Sequence, residues 1–263
     1  RFEGQDLQQL KKGTASAEQV TVSFYVKGNA AALYVCELFD GDNGRSITQS
    51  FAVTTSWNRI ELTFAADTSD PLNDDNAISL YIIFWLHAGS NFTSGTFAVN
   101  TWADKVNADR AAVDDLTSIF DATSRTFSIT GVQMEIGSTA TDFESRSYGE
   151  ELALCQRYLY KSIGTQAYTA HGLGSVFAAA DVDFITSYPV QMRANATASF
   201  GGTVSAAKGT TEVNFSSISD VGGSTFNSFL RCRLAASSFT IGDCLTINNN
   251  NDATGYIQFD AEL

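Results

Sequence analysis

The sequence predicts an all-β protein: two consecutive antiparallel β-sandwich, jelly-roll-like domains joined by one short helix. Three observations carry this expectation. Apolar and polar residues alternate with period two in block after block of the first half. Gly, Ser, Thr and Asn punctuate the whole chain, while only two prolines occur, a mixture suited to short strands and tight turns. Helical spacing with a start signal appears clearly only once, near residue 150. At 263 residues and 44% hydrophobic composition, each half is long enough to bury a core of its own and too apolar for disorder.

The first strand places Val20, Val22, Phe24 and Val26 on one face and Thr21, Ser23, Tyr25 and Lys27 on the other. A second spans Leu33 to Phe39 and ends in the turn Asp40-Gly41-Asp42-Asn43-Gly44, whose residues tolerate positive φ. A third covers Ser46 to Val53. In the fourth, Ile60, Leu62 and Phe64 point inward while Arg59, Glu61 and Thr63 point outward. An Asp- and Asn-rich loop, 65–76, precedes the strand 78–87. There Ile78, Leu80, Ile82, Phe84 and Leu86 share one face, and Ser79, Tyr81, Ile83, Trp85 and His87 the other. An irregular excursion follows from Ala88 to Ser124, with a short helix expected near Asp104 to Ala112. The strand Thr126 to Ile136 switches its apolar phase around Gly131, the mark of a β-bulge.

Ser147-Tyr148-Gly149-Glu150 matches a capping box. Leu152, Cys155 and Leu159 then fall at helical spacing, so an amphipathic helix is predicted from Gly149 to Lys161. The predicted organisation is therefore a jelly roll over 1–147, a connecting helix over 148–162, and a smaller β-sandwich over 163–263. The strands expected in the last part are Val176–Ile185, Thr197–Phe200, Glu212–Ser216, Ser228–Leu234, Ser238–Ile247 and Gly255–Leu263. Pro189 is confined to an edge, a turn or a strand start.

A formal net charge of -13 repels phosphate backbones and anionic lipid, which argues against nucleic-acid and membrane partners. No apolar run approaches the roughly 20 residues needed to span a bilayer. The chain begins at Arg1 within what reads as structured sequence, so further residues upstream are expected. Cys36, Cys155, Cys232 and Cys244 show no metal-ligand spacing. Cys36 and Cys155 read as buried free thiols, and a Cys232–Cys244 bridge stays open. The two histidines, His87 and His171, lie in no hydrolase or metalloprotease motif. His171 reads as a surface turn residue, and the protein is expected not to be an enzyme.

Two stretches carry a family resemblance. The series Val22-Ser-Phe-Tyr-Val-Lys-Gly28, Ser56-Trp-Asn-Arg-Ile-Glu-Leu-Thr-Phe64 and Ile129-Thr-Gly-Val-Gln-Met-Glu-Ile-Gly137 resembles the galactose-binding-like jelly rolls of carbohydrate-binding modules. The segment Ala140-Thr-Asp-Phe-Glu-Ser-Arg-Ser-Tyr-Gly-Glu-Glu-Leu-Ala-Leu-Cys-Gln-Arg-Tyr158 resembles the junction in bacteriophage tail fibres and minor virion proteins of marine-phage type. Tyr188-Pro-Val-Gln-Met-Arg-Ala194 and Phe259-Asp-Ala-Glu-Leu263 resemble their distal domain and C-terminus. The resemblance implies an exterior virion fibre assembled in the host cytoplasm. It further implies a homotrimer, contacts with other virion proteins, and attachment to bacterial surface polysaccharide. The alternatives from other classes are a purely structural virion decoration or connector and a polysaccharide depolymerase fragment.

Sugar recognition pairs an aromatic ring with the apolar face of a pyranose. The candidates for such a platform are Tyr81, Trp85 and His87, with Tyr34 on a neighbouring strand, Asn91 in the following loop, and Trp102 in the excursion. The competing reading is that this face packs beneath the excursion. Trp57 is assigned to the core, as a structural strand residue in the resemblance. Related jelly rolls hold a structural calcium, which needs six to eight hard oxygens. Glu3, Asp40, Asp42 and Asp142 are the candidate ligands here, against the alternative of an ordinary solvated turn. No other cofactor is expected.

Overall fold

The computed structural model describes residues 1–262, so the last residue of the strand predicted over Gly255–Leu263 lies outside the described residues. The chain forms two compact units, Arg1–Ser145 and Arg146–Glu262.

In the N-terminal unit the strands are β1 (Phe2–Glu3), β2 (Val20–Gly28), β3 (Ala32–Asp40), β4 (Arg45–Val53), β5 (Asn58–Phe64), β6 (Ile78–Trp85), β7 (Ala103–Asp104) and β8 (Phe127–Ile136). They make two antiparallel sheets, ordered β1-β6-β3-β4-β7 and β5-β2-β8. Period-two alternation turns one face of each sheet inward, and the two inner faces share one core. Val22, Phe24, Val26, Leu62 and Phe64 come from the smaller sheet, and Cys36, Leu38, Ile47, Phe51 and Leu80 from the larger. Phe24 stands edge-on to Phe51 and Phe84, with ring centroids 5.1 Å apart in each pair. The predicted bulge is present. The β2–β8 register slips by one residue between Ser23 and Tyr25, and Gly131 takes a φ of 59°, a conformation glycine reaches without steric penalty. The excursion holds a one-turn helix, α1 (Ser90–Thr93), and a 3-10 turn at Asn107–Asp109 in place of the short helix expected over 104–112.

The C-terminal unit opens with the helix α2 (Tyr148–Gln156), followed by β9 (Leu159–Ile163), β10 (Ala170–Ala178), β11 (Asp181–Ser187), β12 (Thr197–Gly201), β13 (Ser205–Lys208), β14 (Thr211–Gly223), β15 (Asn227–Leu234), β16 (Cys244–Asn248) and β17 (Tyr256–Asp260). Six strands close into a barrel ordered β10-β11-β15-β14-β13-β16, and β12-β17-β9 form a separate sheet. The all-β class is as predicted, with barrel closure in place of a simple second sandwich. Val182, Phe184, Leu230, Cys232 and Ile247 line the core together with Ile257 and Phe259 of the small sheet.

Several local expectations are corrected. The Ser147 capping box forms, with the Ser147 N–H donating to Glu150 Oε2 at 2.9 Å. The helix nevertheless stops at Gln156 and buries none of its residues, so it is not amphipathic in effect. Leu159 pairs with Asp260 and Tyr160 with Phe259, and this sheet pairing takes the residues that would have continued the helix. Cys155 is accordingly exposed. The span Val176–Ile185 is a hairpin rather than one strand, because the chain reverses through Ala179-Ala180 between β10 and β11. In the predicted strand Ser238–Ile247, only the part from Cys244 is extended. All four cysteines are free. Cys232 is buried in the barrel core while Cys244 is exposed on β16, a strand not adjacent to β15, so the Cys232–Cys244 bridge is not formed. His171 lies on β10, half-buried, its Nδ1 2.9 Å from Ser162 Oγ; it is not a turn residue.

Candidate functional site

The outer face of β6 is covered. Trp85 donates its Nε1–H to Glu37 Oε2 at 2.7 Å, and Arg110 Nε reaches Glu37 Oε1 at 2.8 Å. The Trp85 ring packs on Phe92 of α1, and the Arg110 guanidinium lies over both Trp85 and Phe39. Glu37 is fully buried here. A buried carboxylate needs a charge partner and hydrogen-bond donors, and the excursion supplies both. Trp85 therefore anchors the excursion and is not a free platform. Tyr81 is half-buried against Phe39 at a centroid distance of 5.6 Å. Tyr34 is only 1% exposed, packed against Phe51 and Phe127. It is a core residue and not a ligand-facing one. Trp102 donates its Nε1–H to Ala65 O at 2.8 Å and packs on the core. The six candidate sugar contacts are thus not brought together. His87 and Asn91 remain exposed, and Trp85, Tyr34 and Trp102 serve packing.

The candidate calcium ligands are not gathered either. Lys12 places its Nζ 2.6 Å from Asp40 Oδ2 and 3.0 Å from Asp67 Oδ2. It also donates to Asp70 O at 2.8 Å and Ser69 O at 3.1 Å. An ammonium surrounded by four oxygens, two of them carboxylate, neutralises this end of the sandwich from within. The remaining Asp40 oxygen caps its own turn, accepting from the Asp42 and Asn43 N–H groups. Glu3 is buried and accepts from Gln5 at 2.5 Å. Asp42 accepts from Asn73 N, while Asp142 stands fully exposed 4.0 Å from Arg59. Among the described residues no group of three or more His, Cys, Asp or Glu side chains is arranged to hold a metal ion. Burial alone would raise the Asp67 pKa, but hydrogen bonds from Arg45, Ser69 and Lys12 outweigh it and hold the carboxyl below its ordinary value.

The opposite end of the sandwich is built differently. Val26 pairs with Asn58, Gly28 with Phe127, and Ala32 with Val53, so strand register brings together the β2–β3 and β4–β5 turns and the approach to β8. The Gly28 N–H donates to Thr54 O at 2.9 Å, tying the two sheets at this end. Asn29 binds Ser124 O and accepts from Thr126 N. Leu86, just past β6, accepts from Ile119 N at 2.8 Å, which brings residues 117–121 to the same end. Two aromatic rings stand in solvent here. Phe120 is 77% exposed and Trp57 48% exposed. His87 lies edge-on to Phe120 at 5.3 Å and its Nδ1 is 2.8 Å from Ser118 Oγ. Lys27 Nζ lies 5.7 Å from the Trp57 ring centroid.

The core assignment of Trp57 is therefore corrected, and the sequence held the signal. In β5 the even positions Ile60, Leu62 and Phe64 point inward, which puts Trp57 in phase with Arg59 and Glu61 on the outer face. Phe120 was signalled only by being a lone ring in the polar run Asp121-Ala-Thr-Ser124 and Thr117-Ser118. Exposed rings flanked by Asn29, Asn58, His87, Ser118 and Asp121 supply flat apolar area beside hydrogen-bonding groups, the pairing a polyhydroxylated ring needs. Among the described residues no helix is long and apolar enough to cross a membrane. Comparison with protein-family models, with curated proteins and with solved structures finds no match to this chain.

Proposed function

We propose that this chain is a non-enzymatic adhesin of a bacteriophage tail fibre, or of a similar exterior virion fibre, that attaches to glycan on the bacterial surface. The observation that carries the reading is the loop end of the N-terminal sandwich, where Trp57 and Phe120 stand exposed among amide, imidazole and hydroxyl groups. An indole combines a large apolar face with a polar N–H, and such side chains are enriched at contact surfaces. The assignment to a virion rests on the resemblance of the segment 140–158 to fibre junctions. A homotrimer is part of the reading, since repetition of a shallow site multiplies weak contacts through effective concentration.

The test is glycan-array and host-cell binding by the purified chain, beside Trp57→Ala and Phe120→Ala. Both side chains are exposed, so the variants should unfold at the wild-type midpoint while binding falls about tenfold or more, equivalent to roughly 1.4 kcal/mol. Unchanged binding by both variants would remove Trp57 and Phe120 as the contact site, and a blank array with no cell binding would remove the adhesin reading in favour of a structural decoration. New reducing ends on incubation with host polysaccharide would replace it with the depolymerase reading.

A further inference from the structure

The barrel breaks the usual polar-outward rule along one cross-strand row. On β10 the side chains alternate, with Val176 inward and Leu173 and Phe177 outward; on β11 Val182 and Phe184 point inward and Ile185 outward. Ile185 pairs with Phe229 of β15, and Gly174 pairs with Phe184, which sets Leu173 beside Ile185. Leu173, Ile185 and Phe229 thus form one apolar row over three adjacent strands, with Leu173 77% and Ile185 63% exposed. Outward cross-strand neighbours of this kind touch one another, so the row is a continuous patch. It borders a shallow depression of about 750 Å³ whose lining includes Lys208, Asp183 and Cys244.

The charges around this row are matched within the face. Arg231 pairs with Asp183 at 2.7 Å, Arg233 with Asp181 at 3.2 Å, and Lys208 with Asp243. Arg231 also lies over the Phe177 ring at 3.7 Å. Around the row, then, stand three paired cations and three paired anions in a chain that carries a net charge of -13. A basic partner would be drawn to the acidic surfaces, not to this balanced face. A copy of the same face meets it without like-charge repulsion and can exchange ion-pair partners across the contact. Barrel closure leaves β10, β11 and β15 with paired backbones on both sides, so the contact would be made by side chains and not by strand addition.

We infer that the Leu173–Ile185–Phe229 row is the surface through which copies of this chain associate. This rests on the oligomeric part of the proposed function and assigns it a location. Light scattering on the purified chain at micromolar concentration should give a mass that is a multiple of 28.3 kDa. Leu173→Glu and Ile185→Glu should each reduce it to the single-chain mass with the circular dichroism spectrum intact, and Val106→Glu, at an exposed apolar residue of the N-terminal unit, should leave it unchanged. Cys244 gives a reading that needs no variant: its thiol labelling should accelerate several-fold on dilution, while the exposed Cys155 keeps its rate. A wild-type monomer overturns the inference, as does an oligomer that survives both substitutions or Cys244 labelling that ignores concentration. Capture of a different virion protein by a monomeric chain would also overturn it. Glycan binding is read separately on the same samples. Assembly through this face with a blank array leaves the inference standing and the adhesin reading fallen, and a monomer that binds glycan does the reverse.

Discussion

The two units solve the problem of joining sheets in opposite ways. The N-terminal sandwich has open sheets, and its sequence is strongly acidic, with 9 Lys and Arg against 19 Asp and Glu in residues 1–145. Its most buried cations are held in ion pairs: Lys12 and Arg45 with Asp40 and Asp67 at one end, Arg110 with Glu37 beneath the excursion, and Arg125 with Asp121 beside Phe120. The C-terminal unit is nearer neutrality, with 7 against 10 in residues 146–262. Its barrel closes through backbone pairing, its core is almost wholly apolar, and its ion pairs sit on the outside. Open sheets leave edges and ends that side chains must cover, whereas closure satisfies the backbone on every strand. The barrel is therefore free to expose apolar side chains on its wall, whereas the sandwich exposes Trp57 and Phe120 at the end away from Lys12, where the Arg125–Asp121 pair lies beside Phe120.

The largest test of this contrast is Lys12→Met. It leaves Asp40 and Asp67 short of a buried cation, and the expected loss is about 3–5 kcal/mol. All three tryptophans, Trp57, Trp85 and Trp102, lie in the N-terminal unit, so fluorescence in a urea titration follows that unit alone. The barrel is followed through Cys232, whose thiol is shielded from reagents and pushed up to about 12 by burial, with the Asp183 charge adding to it. The variant should move the tryptophan midpoint and leave the concentration of urea that exposes Cys232 unchanged. Movement of both together would dissolve the distinction.

Acid should separate the units by a smaller amount and at different pH. Burial lowers the His171 pKa below 6.5, so the unfolded chain binds the proton more readily. The C-terminal unit accordingly loses stability as pH falls below 6.5. Asp67 has its folded pKa below 3.8, so its contribution is present above 3.8 and disappears only as pH drops through the lower folded value. Between pH 7 and pH 5 the Cys232 transition should shift to lower urea while the tryptophan transition holds. His171→Gln should flatten the first of these.

The smallest effect belongs to the helix α2. Its capping box is complete, but nothing on it is buried, so Ser147→Ala should cost about 1 kcal/mol locally. Hydrogen exchange of the α2 amides should quicken with little change in either global midpoint. A large global loss would mean that α2 bears load in the C-terminal unit.

Much of the N-terminal fold was legible because period-two patterning reports which face a residue occupies, and the strand limits, the Gly131 bulge and the Asp40–Gly44 turn all follow from it. The same phase places Trp57 outside, where a resemblance argument had put it in the core. The helix start was legible from Ser147 and Glu150, but its end was not, because Leu159 and Tyr160 are claimed by β17 about a hundred residues further on. The hairpin at Ala179-Ala180 lacks any Gly, Asn or Pro to announce the reversal. The candidate sugar platform failed for a related reason. Whether Trp85 faces solvent depends on Phe92 and Arg110 arriving from the excursion, and local pattern does not record what covers a face.

The sequence by itself determined the all-β class, the acidic balance, most strand faces and the position where the helix begins, all of which are set by neighbours within a few residues. Barrel closure, the Lys12 ammonium among four oxygens, the burial of Glu37 and the arrival of Phe120 at the same end as Trp57 were decided by tertiary structure. Each of these depends on groups far apart in the chain meeting at close range, and hydrogen bonds and ion pairs gain their strength only once that meeting excludes water.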